Sequence, residues 1–297
     1  MNGILILDKP AGITSFAAVR AVRRVFGGEK AGHTGTLDPM ATGVLPILLG
    51  RATKLGALLP ASDKAYAATA KLGAQTDTAD AEGSVLRESG VRPTETELRD
   101  ALQSFVGDSM QLPPMYSALK QGGTPLYELA RAGQTVPRQP RPITIYDAAL
   151  TACDGEQFSF TARCSAGTYI RTLAEDTAAR CGALCHLTAL RRTEACGFSL
   201  AQAVTLPQLE QAAQNGETAQ LLLPADAPFL HCEALQLADD NLWRLFQNGF
   251  AFAASRCCTA APGSVLRVYR NGQFAALAQV SETGQLVKLW QAEVSSI

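Results

Sequence analysis

Residues 32 to 55 read GHTGTLDPMATGVLPILLGRATKL and hold a single carboxylate, Asp38, among glycine, threonine and apolar bulk. A surface loop would be more polar, and a core strand would not carry an acid. A carboxylate placed in this way can act as a nucleophile, or it can stabilise positive charge developing on a substrate. The competing reading is conformational. An Asp directly before proline commonly shapes a turn or caps a helix, because the residue before proline avoids helical angles. The stretch has no Gly-Lys-Ser/Thr ending, so it is not a phosphate-binding P-loop. It also offers no obvious second carboxylate of the kind a glycosidase pairs with its first.

Other residue types narrow the chemistry. Cys181, Cys185 and His186, with Cys196 nearby, suggest a metal, but no CxxC pair occurs and the spacing matches none of the common zinc patterns. Asp77, Asp80 and Glu82 lack the spacing of a calcium loop, so no metal is inferred. The eight cysteines are expected to be buried free thiols, because the N-terminus shows no export signal and a reducing cytosol keeps thiols free. No run of about 18 apolar residues suits a membrane span. The expectation is a cytoplasmic protein with no membrane partner.

The formal net charge of -1 hides an uneven distribution. Residues 1 to 64 carry eight Lys or Arg against four acids, and residues 111 to 145 and 163 to 192 are each in excess by three positive charges. Residues 75 to 108 and 193 to 297 are acidic, by five and four charges. Converging positive segments would form a basic groove suited to nucleic acid, whereas separate ones would be ordinary solvated faces.

The elements that must position these residues are legible in part. GILIL (3 to 7) reads as a buried strand ending in a turn. Thr14 or Ser15 can cap a helix whose apolar positions are Phe16, Val19, Val22, Val25 and Phe26, closed by Gly27 and Gly28. Arg20, Arg23 and Arg24 share its opposite face, which either binds phosphate or is simply solvated. A strand is expected over 64 to 73, a polar turn over 75 to 83, and a helix from the capping box of Thr94 and Glu97 to about Val106. Residues 111 to 140, with five prolines, three glycines and two tyrosines, read as a lid or binding loop. Residues 158 to 182 read as strand, turn and helix, with Tyr169 and Arg171 in the helix's first turn, and 182 to 200 hold another strand with Leu190. From about residue 226 a helix, Asp239 to Gln247, precedes a hairpin turning at Asn271 and Gly272, which together suggest a separate β module.

These residues carry a resemblance. GHTGTLDPMATGVLPILLGRATK closely resembles the catalytic segment of the TruB-type tRNA pseudouridine synthases. DKPAGITS (8 to 15), KAYAATAKLGAQTDTADAEG (64 to 83), PPMYSALKQGGTPLYELARAG (113 to 133), GTYIRTLAEDTA (167 to 178) and LTALRRTEACGFS (187 to 199) resemble further family motifs in the same order. The resemblance implies an α+β pseudouridine-synthase fold: a central, mostly antiparallel sheet flanked by helices over residues 1 to 225, with an inserted thumb over 111 to 140. Residues 226 to 297 resemble the small β-barrel-like PUA module often appended to this family.

The implied activity is isomerisation of the T-loop uridine of tRNA, conventionally position 55, without a cofactor. The base is detached from its sugar and rejoined through carbon. The resemblance makes Asp38 the catalytic acid and Arg171 the cation that keeps it charged and aimed. Tyr66 would be catalytic, stacking on the uracil and able to relay a proton, and Tyr169 and Leu190 would complete the pocket; without the resemblance, Tyr66 and Leu190 read as core packing. His33 would replace stacking lost by the extruded nucleotides. Lys9, Lys54, Lys64, Arg20 and Lys120 would contact phosphates. The expected partner is the T-arm of tRNA, bound by a monomer. An idle tRNA-binding or folding factor is the alternative, against which the intact Asp38, Tyr66 and Arg171 argue.

Overall fold

The computed structural model describes residues 2–59 and 63–292. Strand β1 (Gly3–Lys9) is apolar up to Leu7, where both its faces are covered. Leu5 and Leu7 enter one core with Val19 and Val22 of helix α1 (Ser15–Val25), whereas Ile4 and Ile6 enter another with Phe229, Leu277 and Trp290 from the C-terminal part. Thr14 caps α1, its hydroxyl accepting from Ala17 N at 3.0 Å. One predicted core position fails. The buried stripe of α1 is Ser15, Ala18, Val19 and Val22, and Phe16 lies off it, 67% exposed.

Strands β2 (Ala31–His33) and β3 (Thr42–Leu49) flank the Asp38 loop, and β3 pairs antiparallel with β1 and β2. The apolar bulk that follows Asp38 in sequence is therefore a strand buried on both faces. Next come β4 (Lys64–Leu72) and the hairpin of β5 (Ala74–Thr76) and β6 (Val85–Glu88). Helix α2 (Glu95–Gln103) begins with the predicted capping box but stops before Val106. It leads to β7 (Gly107–Gln111). The insertion is not structureless: it folds as a small hairpin of β8 (Lys120–Gln121) and β9 (Thr124–Pro125), followed by helix α3 (Leu126–Arg131). Strands β10 (Arg141–Cys153) and β11 (Gln157–Cys164), helix α4 (Ile170–Arg180), strands β12 (Cys185–Ala195) and β13 (Phe198–Ser199), and helix α5 (Leu206–Gln214) complete this part.

The nine-stranded sheet runs β1-β3-β12-β4-β11-β10-β7, with β2 on β3 and β13 on β12. Its strand pairs are antiparallel except β12 with β3. At that parallel junction Gly43 approaches Arg192 so closely that a Cβ would stand 2.1 Å from the Arg192 carbonyl oxygen, at a φ of +101°. Only glycine fits there.

A five-stranded sheet, β14-β16-β17-β18-β15, forms the C-terminal part. It is built from β14 (Glu233–Gln236), helix α6 (Asp240–Gln247), β15 (Phe252–Ala253), β16 (Val265–Arg270), β17 (Gln273–Val280) and β18 (Gln285–Gln291). Asn271 and Gly272 both have positive φ, 50° and 74°, as a tight two-residue hairpin turn requires. Trp290 docks this sheet onto the first part, its indole donating to Arg51 O at 3.2 Å. The last five residues of the predicted C-terminal module, 293–297, lie outside the described residues. The eight cysteines are free, but only Cys164 and Cys185 are buried; the other six retain partial exposure at element ends and turns, against the expectation of uniformly buried thiols.

Candidate active site

Asp38 occupies the turn between β2 and β3, which closes when Ala41 N donates to Asp38 O at 3.1 Å. The loop around it is pinned by buried groups. Leu37 N donates to the Ser15 hydroxyl at 2.8 Å and that hydroxyl donates back to Leu37 O at 3.0 Å, while Gly12 N donates to Pro39 O at 2.9 Å. The backbone of Asp38 makes the turn, and its carboxylate is left for another partner.

That partner is Arg171. On the first turn of α4, its Nε lies 3.0 Å from Asp38 Oδ2, and its side chain is 4% exposed against 34% for Asp38. The rest of the guanidinium is spoken for. Nη1 donates to Thr78 O at 2.5 Å, Nη2 donates to Tyr116 O at 2.7 Å, and Asp80 Oδ2 lies 3.6 Å from Nη1. Arg171 is thus fixed from several sides and offers Asp38 one aimed donor. Burial pushes the Asp38 carboxyl above its usual range; Arg171 and Lys9 pull it back and Asp80 adds to the rise. Arg171 opposes the rise, and burial outweighs it.

Tyr66 lies on β4, 8% exposed, directly opposite Arg192 on β12. Leu190, two residues earlier on β12, lies opposite Ala68. Asp38, Tyr66, Tyr169, Arg171, Leu190 and Lys64 line one cavity of about 240 Å³. Asp38 and Arg171 also border an adjoining cleft of about 740 Å³, whose wall includes His33 and the insertion residues Tyr116 and Tyr127. His33 Nδ1 is buried with no hydrogen-bond partner among the described residues, and burial, aided by Arg192, lowers the ring's pKa. A neutral imidazole can lie flat against a base.

The five predicted phosphate contacts divide. Lys64 lines the cavity and Arg20 is exposed on α1, with its guanidinium over Phe16. Lys54 and Lys120 are exposed but line neither cavity. Lys9 is placed where it cannot reach a phosphate. It is 0% exposed, and its ammonium donates to the carbonyls of Pro10, Ile13 and Pro39 at 2.8, 2.8 and 3.1 Å. Burial lowers its pKa to about 8. It ties the end of β1 to the Asp38 loop. Other cations of the positive segments are also spent internally: Arg191 pairs with Asp8 at 2.7 Å, and Arg192 is fully buried. The basic groove is thinner than the charge count suggested.

Three residues emerge only from the structure. Asp80, read in the sequence as part of a polar turn, is 4% exposed and joins the Arg171 network; Thr78 Oγ1 donates to its Oδ1 at 2.6 Å. Gln111 clamps Tyr169, donating to Tyr169 O at 3.1 Å while its own carbonyl accepts from Tyr169 N at 2.8 Å. Arg192 donates to Val44 O and Gly35 O at 2.7 and 3.1 Å and opposes the rise that burial imposes on the Tyr66 hydroxyl pKa.

A half-buried Asp38 paired with a buried Arg171 beside a tyrosine supplies a carboxylate and an aromatic face, and among the described residues no group of three or more His, Cys, Asp or Glu could hold a metal ion. Residues 23–170 match the N-terminal domain of the TruB family pseudouridylate synthases, and residues 171–229 match the tRNA pseudouridylate synthase B C-terminal domain. The chain is 45% identical over 286 residues to the tRNA pseudouridine synthase B of Aromatoleum aromaticum, covering 96% of this chain and 91% of that one. It is 44% identical over 290 residues to that of Stutzerimonas stutzeri, covering 96% and 94%. Among solved structures, the Cbf5-Nop10-Gar1 complex contains a chain similar in fold, with a TM-score of 0.70 and 23% identity over 99% of this chain and 84% of that one. On the strength of these matches the chain belongs to the TruB family of pseudouridylate synthases.

Proposed function

We propose that this protein isomerises the T-loop uridine of tRNA, position 55, to pseudouridine. The observation that carries the reading is the 3.0 Å contact of Asp38 with a buried, fully engaged Arg171 at the wall of a pocket shared with Tyr66. The uracil stacks on Tyr66, between Tyr169 and Leu190. Ionised Asp38 serves either by attacking the ribose carbon or by stabilising charge developing there, and the base then rejoins through carbon. The reaction is redox-neutral and conserves every atom, and this reading assigns it no cofactor.

In this reading residues 1–225 form the catalytic unit, residues 111–140 a thumb that closes on the T-arm, and residues 226–297 a PUA-like RNA-binding module. Lys64 and Arg20, with Lys54 and Lys120 farther out, meet phosphates, and His33 stacks beside the extruded nucleotides. The enzyme works as a monomer in the cytoplasm, where its substrate is. No helix among the described residues is long and apolar enough to cross a membrane.

The test is site mapping of pseudouridine in an unmodified tRNA transcript and in one whose position-55 uridine is cytidine. The reading expects one pseudouridine in the first and none in the second. Modification elsewhere overturns the assignment of the site, and binding without any product favours the idle RNA-binding factor.

A further inference from the structure

The cleft of about 740 Å³ beside the uracil pocket has an aromatic wall that core packing does not explain. Phe16 stands in the first turn of α1, 67% exposed. Isolated exposed apolar residues are ordinary, and Leu230 and Phe250 are others here. Phe16 differs in its setting: it lines the same cleft as Asp38, His33 and Arg171. One turn farther along α1, the Arg20 guanidinium carbon lies 5.4 Å from the centre of the Phe16 ring, so a cation backs the ring. The insertion repeats the arrangement across the cleft. Tyr127 on α3 is backed by Arg131, four residues on, at 5.6 Å.

An aromatic face with a guanidinium behind it is the local design by which proteins hold unpaired bases. The ring stacks on any base, and the arginine meets the phosphate beside it. Drawing one nucleotide into an enzyme pocket unstacks its neighbours, and a ring that takes up a freed base recovers part of that cost. We propose that Phe16, backed by Arg20, is a stacking platform for an unpaired nucleobase of the RNA other than the uridine that reacts. This inference rests on the tRNA-modifying reading above. The ring occupies the position where the helix would otherwise present a solvated polar side chain.

The test uses T-arm hairpin RNAs, each carrying 2-aminopurine at one loop position, titrated with the natural protein and with Phe16→Ala and Phe16→Trp. One position away from the reacting uridine should be quenched by the natural protein and by Phe16→Trp but not by Phe16→Ala. Phe16→Ala should weaken binding about 5- to 150-fold. That penalty should vanish on RNA made abasic at the quenched position. Equal quenching by all three proteins overturns the platform. So does a Phe16→Ala penalty that persists on abasic RNA, which would place the ring against the protein's own insertion instead. If the natural protein forms no pseudouridine in these hairpins, the parent reading fails and the platform loses its ligand with it.

Discussion

Lys9→Met separates a structural lysine from a phosphate contact. In the structure the Lys9 ammonium is 0% exposed and bonds three carbonyl oxygens from two segments, Pro10 and Ile13 on one side and Pro39 on the other. Charge-assisted hydrogen bonds contribute about 1.5–3 kcal/mol each, so three give roughly 4.5–9 kcal/mol. Against this stands the cost of burying the charge. A pKa lowered from 10.5 to about 8 corresponds to about 3.4 kcal/mol. The net loss on substitution is about 1–6 kcal/mol. Because the folded-state pKa lies below the unfolded one, the unfolded chain binds more protons between pH of about 8 and 10.5. The natural protein should therefore gain stability relative to Lys9→Met as pH rises through that window. Urea unfolding at several pH values measures both effects. Filter binding to tRNA supplies the control, since loss of a phosphate contact would reduce the slope of log affinity against log salt by about 0.9. Unchanged stability together with a shallower salt slope would refute this account of Lys9.

Arg171→Ala leaves Asp38 and Asp80 facing each other without their cation, and it should cost about 3–5 kcal/mol of stability as well as activity. Arg171→Lys should fold better yet lose most of kcat, because an ammonium cannot reproduce the three directed contacts; near-natural kcat would show that charge alone suffices. Burial holds the Asp38 carboxyl above its ordinary pKa, so the acid limb of kcat/KM should lie above 3.8, and a limb at or below that value contradicts the burial argument. Gly43→Ala should fail to yield folded protein, since its Cβ would overlap the Arg192 carbonyl oxygen; a normal melting curve would count against the tight β3–β12 junction.

Much of the fold was legible because local signals agreed. The length of the apolar run marked β1, the Thr94 and Glu97 box marked α2, and Asn271-Gly272 marked the C-terminal hairpin. Asp38, Tyr66 and Arg171 were legible as a set only through the resemblance of their motifs, and the structure gathers them in one pocket. What the sequence concealed were contacts between distant segments. Asp80 read as a turn carboxylate because Arg171, which buries it, arrives from α4. Lys9 read as a surface cation because a lysine after a strand gives no sign that three carbonyls will enclose it. Phe16 read as core because Ser15, polar but buried against Leu37, takes the inward position of α1. The cysteines read as buried from composition and redox setting, whereas exposure was decided by where each element ends.

If Asp38 performs the chemistry on a bound tRNA, product formation requires its carboxylate and tRNA binding does not. Asp38→Asn preserves the shape of the side chain and removes its charge, and Arg171 remains held by Thr78 and Tyr116. The decisive measurement is pseudouridine formation in an unmodified tRNA transcript by the natural protein and by Asp38→Asn, with tRNA affinity measured alongside. The account predicts product from the natural protein and none from Asp38→Asn at comparable affinity; equal product from both would contradict it.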